Sequence, residues 1–344
     1  MPGVLSRLGD SQLRSTGKWS GRVALLGRAA RTVPASCGLV ARLRAAIHRI
    51  APDIIHSNGI KTHLLTRVAV PRHIPVVWHL HDFVGLRPVA ARLLRRARRR
   101  VRAGIAVSQA IAADIAHVLP DVPVRVIPNA VDVSQFGPGL AADLDRLAGL
   151  PPAPTGTVRI GLVATYARWK GHLTVLDAAR RLAEIDPELS VRWYIIGGPI
   201  YHTTAQHSMA ELRAAAAERG ISRQVGFIPF QTDPADVYRA LDVVVHASTL
   251  PEPFGLTVAE AMACGRAVIV SAAGGVAELI TDGIDAVGVM PGDSAALAAE
   301  VGRLARDPVE RDRLGAAARA VACTRFADRC YGANLLQLFA RLRA

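Results

Sequence analysis

Short runs rich in Val and Ile recur along this chain, and each stops on small or polar residues. They are PDIIHSNG, IPVVWHLHD, GIAVS and VRVIPNAVD, then VRIGLVATY, VRWYIIGG, QVGFIPF, LDVVVHAS and RAVIVSA. Helical periodicity fills the intervals, as over residues 39–50, 173–185, 208–219 and 330–342. Strands and helices that alternate in this way imply a parallel sheet with helices on its faces. The fold class is therefore α/β. Ligands of such sheets bind beyond the carboxyl ends of the strands. His56, Ser57, Asn58, His81, Asp82, Ser108 and Asn129 all fall there.

With 344 residues, 51% of them hydrophobic, the chain is long enough for two domains. The Pro-, Gly- and Ala-rich stretch 138–156 reads as a linker. It separates an N-terminal domain, 1–137, from a C-terminal one, 157–329, with a closing helix over 330–344. The first 35 residues show no clean period. No apolar run is long enough to span a bilayer, and no secretory leader is visible at the start. Cys37, Cys264, Cys323 and Cys330 are spaced for neither a metal site nor a disulfide framework, which suits a reducing, cytoplasmic compartment.

The charge is lopsided. Residues 1–135 hold 21 Lys and Arg against 6 Asp and Glu, or +15; the remainder holds 21 against 22, or −1. The densest run is Arg92, Arg95, Arg96, Arg98, Arg99, Arg100 and Arg102, with Leu93, Leu94, Ala97 and Val101 as an apolar stripe. A basic amphipathic helix over Arg92–Arg102 would lie on an anionic membrane surface, placing the protein peripherally on the inner face. An ordinary solvated face is the equal alternative. Nucleic acid is disfavoured, because no recognition motif or interleaved aromatics accompany the charge.

Glu252 and Glu260 stand eight residues apart in PEPFGLTVAEAMACG. A Pro-rich turn carries the first and a small-residue helix the second. That helix would open near Phe254, Gly255 and Leu256, leaving backbone amides free to hold a phosphate or a polarised sugar hydroxyl. In ATYARWKGH, Arg168 and Lys170 stand at a strand-to-helix turn, where positive charge can replace a metal beside leaving phosphates. Asp143 and Asp145 form an Asp-x-Asp, but it lies in the linker away from any strand end. No metal site is expected.

The stretch PEPFGLTVAEAMACGRAVIVSAAGGVAELI resembles the donor-site motif of the retaining family-4 glycosyltransferases (glycosyl transferases group 1), over roughly residues 160–326. The resemblance implies the GT-B fold: two Rossmann-like, doubly wound domains facing a cleft, with the last helix crossing back to the N-terminal domain. It implies a nucleoside-diphosphate-sugar donor as substrate, no cofactor, and a glycan or lipid-linked acceptor. Glu252 would face the donor sugar, Glu260 the ribose hydroxyls, and Lys170-Gly171 the phosphates. His81 would reach the donor sugar from the N-terminal domain, with Ser57 and Asn58 on the acceptor side. His79 is expected on the opposite sheet face from His81. Gly274-Gly275 would open a helix near the donor loop.

The chain departs from the family's pattern in two places. Thr165 stands where the family often has an arginine. Only 51 residues precede Pro52, without the usual strand and glycine loop, so the N-terminal domain reads as shortened. Those departures keep an inactive or truncated nucleotide-sugar-binding protein open as an alternative. A GT-B sugar-nucleotide epimerase is less favoured.

Overall fold

The structure, a computed structural model, describes residues 37–200 and 203–343. The N-terminal stretch without a clean period lies outside the described residues. The chain divides into two compact units, one ending at Pro128 and resuming at Ala333, the other Asn129–Gly332.

Among the described residues of the first unit, a helix over 37–50 (α1) leads to four strands: β1 (Ile55–Asn58), β2 (Val76–Leu80), β3 (Val101–Ala106) and β4 (Val124–Val126). They pair in parallel in chain order. Helices α2 (Ile60–Ala69), α3 (Pro88–Ala97) and α4 (Gln109–Val118) connect them. Every residue of β2 is buried, as the VVWHL run requires of a strand covered on both faces. Ser108 ends the third strand region and caps α4 by accepting from the Ile111 amide.

The Arg92–Arg102 stretch is not one amphipathic helix. Helix α3 stops at Ala97, a tight 3₁₀ turn covers Arg98–Arg100, and Val101 and Arg102 begin β3. Leu94 and Ala97 face the core at 0% and 2% exposure, so half of the expected four-residue stripe is packing surface, while Leu93 stays exposed.

The second unit holds α5 (Leu144–Ala148), β5 (Val158–Val163), α6 (His172–Ile185), β6 (Val191–Gly197), α7 (Met209–Glu218) and β7 (Val225–Pro229). Then come α8 (Ala235–Ala240), β8 (Val243–His246), α9 (Leu256–Ala263), β9 (Ala267–Ser271), β10 (Val287–Val289), α10 (Ser294–Arg306) and α11 (Pro308–Val321). The six strands run parallel in the order β10-β9-β8-β5-β6-β7. The chain winds outward from β5 through β7, then crosses back and winds the other way from β8. That reversal puts a topological switch point between β5 and β8, the place where open sheets of this kind hold their ligands. The last helix, α12 (Asp328–Arg343), joins the first unit from Ala333 on. There Phe339 meets the His56 ring edge-on at 5.8 Å, and Arg343 lies 3.4 Å from Asp53.

The stretch read as a linker is partly built into the second unit. Asp143 caps α5 by accepting from the Arg146 amide. Asp145 is buried and accepts from Arg192 Nη1 and Tyr194 Oη, both at 2.6 Å, and from the Ala153 amide at 2.8 Å. Burial opposes its charge, but those three donors hold it below the usual carboxylate range. The Asp-x-Asp is thus a cap and a buried anchor. Asp145→Ala should leave Arg192 and Tyr194 without their acceptor and cost about 3 kcal/mol. Urea unfolding should show a lowered midpoint with an unchanged slope; an unaltered midpoint would remove the anchor role.

Candidate functional site

The loops after β5 and β8 meet at the switch point. After β5 the chain turns through a 3₁₀ segment, Arg168–Lys170, into α6. Gly171 sits between them at φ +76°, and a Cβ there would come within 1.8 Å of the Ala247 carbonyl oxygen. Only glycine lets the Lys170 turn lie against the exit of β8. Thr249 reinforces the join by donating from its amide to Trp169 O at 2.7 Å.

Glu252 lies at the centre, 8% exposed. Its Oε1 accepts from Lys170 Nζ at 2.7 Å. Its Oε2 sits 2.6 Å from His246 Nε2 and accepts from Ser248 Oγ at 2.8 Å. The Trp169 ring lies 4.3 Å from the same ammonium. Burial works against the Glu252 charge, but the His246 bond and the Lys170 charge outweigh it and bring the pKa down to about 2. The carboxylate is therefore ionised at every ordinary pH.

The Glu252 backbone is braced as well. Its amide donates to Ala273 O at 3.0 Å, and the Gly275 amide donates to Glu252 O at 2.7 Å. Gly274, at φ +78°, would set a Cβ 2.7 Å from that same oxygen. Gly274-Gly275 opens a 3₁₀ turn, Gly275–Glu278, and serves as a backbone clamp on Glu252. His246 and Ser248 were missed as site residues from the sequence. Their signal is the end of LDVVVHAS, where a buried strand stops on a histidine and a serine.

Helix α9 starts at Leu256 with Gly255 as its cap residue at φ +98°. The amides of Phe254, Gly255, Leu256 and Thr257 donate to no acceptor among the described residues. What Phe254 offers is backbone, since its ring is buried edge-on to Phe326 at 5.8 Å. Glu260, a little over a turn into α9, takes one bond, from Tyr238 Oη to Oε2 at 2.8 Å. Burial raises its pKa to about 7, against the opposing pull of the tyrosine bond.

Arg168 is not part of the Glu252 cluster. Its guanidinium donates to Thr204 O at 2.8 Å, approaches His207 Nδ1 at 3.1 Å and pairs with Glu211 at 3.2 Å. Among the described residues, no group of three or more His, Cys, Asp or Glu is arranged to hold a metal ion.

In the first unit, a cavity of about 340 Å³ opens beyond the carboxyl ends of β1 and β2, with Asn58, His79, His81 and Asp82 in its wall. Ser57 instead turns inward and bonds His63 Nδ1 at 2.7 Å, so its task is to orient that ring. His81 carries a buried Nε2 without a hydrogen-bond partner. His79 does not point away from it, because their rings lie 4.1 Å apart. Side chains alternate with period two, so residues two apart share a face and Leu80 takes the other. Burial lowers the pKa of His79 and His63 to about 3, and that of His56 and His81 below the ordinary value. The cluster is neutral at neutral pH.

The two parallel sheets, with the buried lysine–carboxylate pair at the switch point of the second, define an α/β protein of the GT-B class. Two family models match: Glycosyltransferase Family 4 over residues 7–135 and Glycosyl transferases group 1 over 151–321. The chain belongs to the family-4, group 1 glycosyltransferases. The D-inositol 3-phosphate glycosyltransferase of Nocardiopsis dassonvillei is 33% identical over 205 residues, 58% of this chain and 46% of that protein. That of Thermomonospora curvata is 35% identical over 205 residues, 57% and 46%. This chain spans about half the length of the curated relatives it matches. Among solved structures, Anabaena Alr3699/HepE in complex with UDP and glucose aligns with a TM-score of 0.77 at 25% identity, covering 88% of this chain and 81% of that one. The sucrose-phosphate synthase of Thermosynechococcus elongatus aligns with a TM-score of 0.76 at 23% identity, covering 88% and 77%.

The raised Glu260 pKa carries a stability consequence. In the unfolded chain the carboxyl titrates near its ordinary 4.5, whereas in the fold it holds its proton up to about 7. Its contribution is full below the lower value and is lost as pH rises through the upper one. The stability advantage of wild type over Glu260→Gln should therefore shrink by roughly 2 kcal/mol from pH 5 to pH 8. Urea titrations at both pH values check this. A constant difference would mean that Glu260 titrates normally.

Proposed function

We propose that this protein is a retaining, metal-independent glycosyltransferase that moves a sugar from a nucleoside-diphosphate sugar to a glycan or lipid-linked acceptor. The observation that carries the reading is the buried Lys170–Glu252 pair beside the free amides of α9, at the switch point of a parallel sheet. Relatives named as glycosyltransferases, and a similar structure holding UDP and glucose, support it.

Negative charge builds on the leaving diphosphate as the anomeric C–O bond breaks. An ammonium has three donors, so Lys170 can keep Glu252 and still take a phosphate oxygen. The amides from Phe254 to Thr257 add preorganised donors near the helix N-terminus. Both Glu252 oxygens are already engaged and its basicity is low, which disfavours covalent attack. It serves instead to hold donor-sugar hydroxyls and to offset positive charge at the anomeric carbon. The acceptor oxygen then bonds to that carbon on the face the leaving group departs, and its proton passes to a phosphate oxygen. Retention follows. His81, neutral and with Nε2 free, is assigned to a donor-sugar hydroxyl, and Asn58 to the acceptor side. The free Oε1 of Glu260 is assigned to the ribose; Tyr238 holds the other oxygen. Arg168 would reach phosphate only by giving up its present partners.

Thr165 and the engaged Arg168 are the observations behind the second reading, a protein that binds nucleotide sugar without turnover. Calorimetric donor titration beside a turnover assay separates the two. No helix among the described residues is long and apolar enough to cross a membrane. Peripheral attachment on the cytoplasmic side is proposed through α3, where Val89 and Leu93 are 38% and 42% exposed beside exposed Arg92 and Arg96, with Leu86, 63% exposed, in the turn just before the helix.

Activity should persist in excess EDTA, and Lys170→Ala should lower kcat at least a hundredfold, on the order of the loss of one oxyanion donor. Abolition by chelation with recovery in magnesium or manganese would contradict the metal-free route. Glu260→Ala should weaken donor binding about ten- to a hundredfold, the value of one charge-assisted bond. Wild-type affinity should also rise as pH passes through about 7. Calorimetry at pH 6 and 8 reads both effects, and unchanged affinity in the variant would take Glu260 out of the site.

A further inference from the structure

The first unit carries a second concavity at the end of its sheet opposite the His81 cavity. It lies where the chain enters β2 and β3, encloses about 750 Å³, and is walled by Arg67, Arg72, Arg96, Arg99, Arg100 and Arg102. No carboxylate among the described residues lines it. A neighbouring hollow of about 720 Å³ shares Arg67, Arg72 and Arg100 and adds Arg44.

None of these six arginines forms an ion pair with a carboxylate among the described residues. The described carboxylates of this unit are committed elsewhere. Asp53 pairs with Arg343, Asp82 with Arg87 and Asp121 with Arg98, while Asp114 accepts from the amides of Val84 and Gly85. The cluster is nevertheless held in form: Arg67 donates to Arg96 O at 2.7 Å, and Arg100 donates to Arg67 O at 2.9 Å. The second terminal nitrogen of Arg100 is buried and has no partner. A concavity of like charges costs electrostatic energy unless an anion fills it. Guanidinium forks match phosphate oxygens in pairs, and several around one hollow suit a ligand with more than one phosphate charge.

We propose that this arginine-walled cavity is a binding site for a diphosphate or other clustered phosphate groups, distinct from the site at Lys170 and Glu252. The ligand class follows from the donor set: planar, permanently charged forks with no acceptor among them favour a multiply charged oxyanion over a neutral sugar or a cation. Free oligophosphate and the headgroups of anionic lipid offer the same chemistry. Surface contact through the apolar residues of α3 and the turn before it is a separate matter, since Leu86, Val89 and Leu93 do not line the cavity; Arg96 borders both surfaces and is left unchanged in the variants below.

Arg72, Arg99 and Arg102 have exposed side chains with no hydrogen bond that supports the fold, so Arg72→Gln, Arg99→Gln and Arg102→Gln can be combined. The probe is inorganic pyrophosphate, titrated by calorimetry into the full chain. Lys170→Ala should retain most of the binding, the triple variant should lose at least tenfold in affinity, and added salt should weaken binding in wild type. Thermal melts of each variant confirm that it is folded. A parallel arm sediments the protein with vesicles of phosphatidylglycerol and phosphatidylcholine. Sedimentation that pyrophosphate suppresses and the triple variant loses assigns the site to headgroups. Pyrophosphate binding without sedimentation assigns it to free oligophosphate. A folded triple variant that matches wild type in both arms overturns the proposal, as does wild type that binds neither probe or loses pyrophosphate binding entirely in Lys170→Ala.

Discussion

The contact between Lys170 and Glu252 is the constraint around which the second unit is arranged. A buried ammonium and a buried carboxylate each lose hydration, and the pair persists only where further hydrogen bonds complete it. Here His246 and Ser248 do so from the end of β8, while Gly171 and Gly274 let neighbouring backbone close to distances that a Cβ would forbid. The strand order supplies the reason for the location. Because β5 and β8 are adjacent but their chains leave in opposite directions, the two loops meet at one crevice. The local cost of assembling charge there is accepted where the sheet topology already opens a ligand site.

The two units use charge in opposite ways. In the second, basic residues are largely matched to carboxylates, as in Arg192–Asp145, Arg219–Asp177 and Arg313–Glu310. In the first, arginines outnumber carboxylates so heavily that many donate to backbone carbonyls or to nothing. That imbalance says little about the fold, which rests on buried strands such as VVWHL. It bears on what the surface of the first unit attracts.

The α/β class was legible because parallel strands buried on both faces must be apolar throughout, and runs such as AVIVS and VVVH have no other comfortable home. The Lys170-Gly171 turn and the Glu252 loop were legible because glycine and proline at fixed places leave little conformational choice. Sequence could not show that Arg168 bends toward Glu211, since partner choice among exposed charges is set by loops far apart in the chain. Nor could the arginine run reveal where its helix stops: no proline or glycine lies between Arg92 and Arg102, and the break arises from β3 pairing with β2. His79 and His81 share a face, contrary to the expectation, because side chains on an extended strand alternate with period two.

The most direct test is a crystal structure of the protein soaked with whichever nucleoside diphosphate calorimetry shows to bind. The diphosphate is expected within hydrogen-bond reach of Lys170 Nζ and the amides of Gly255 to Thr257, with Glu260 Oε1 on the ribose. A nucleotide bound away from Lys170, with the Lys170–Glu252 pair untouched and the α9 amides empty, would contradict it.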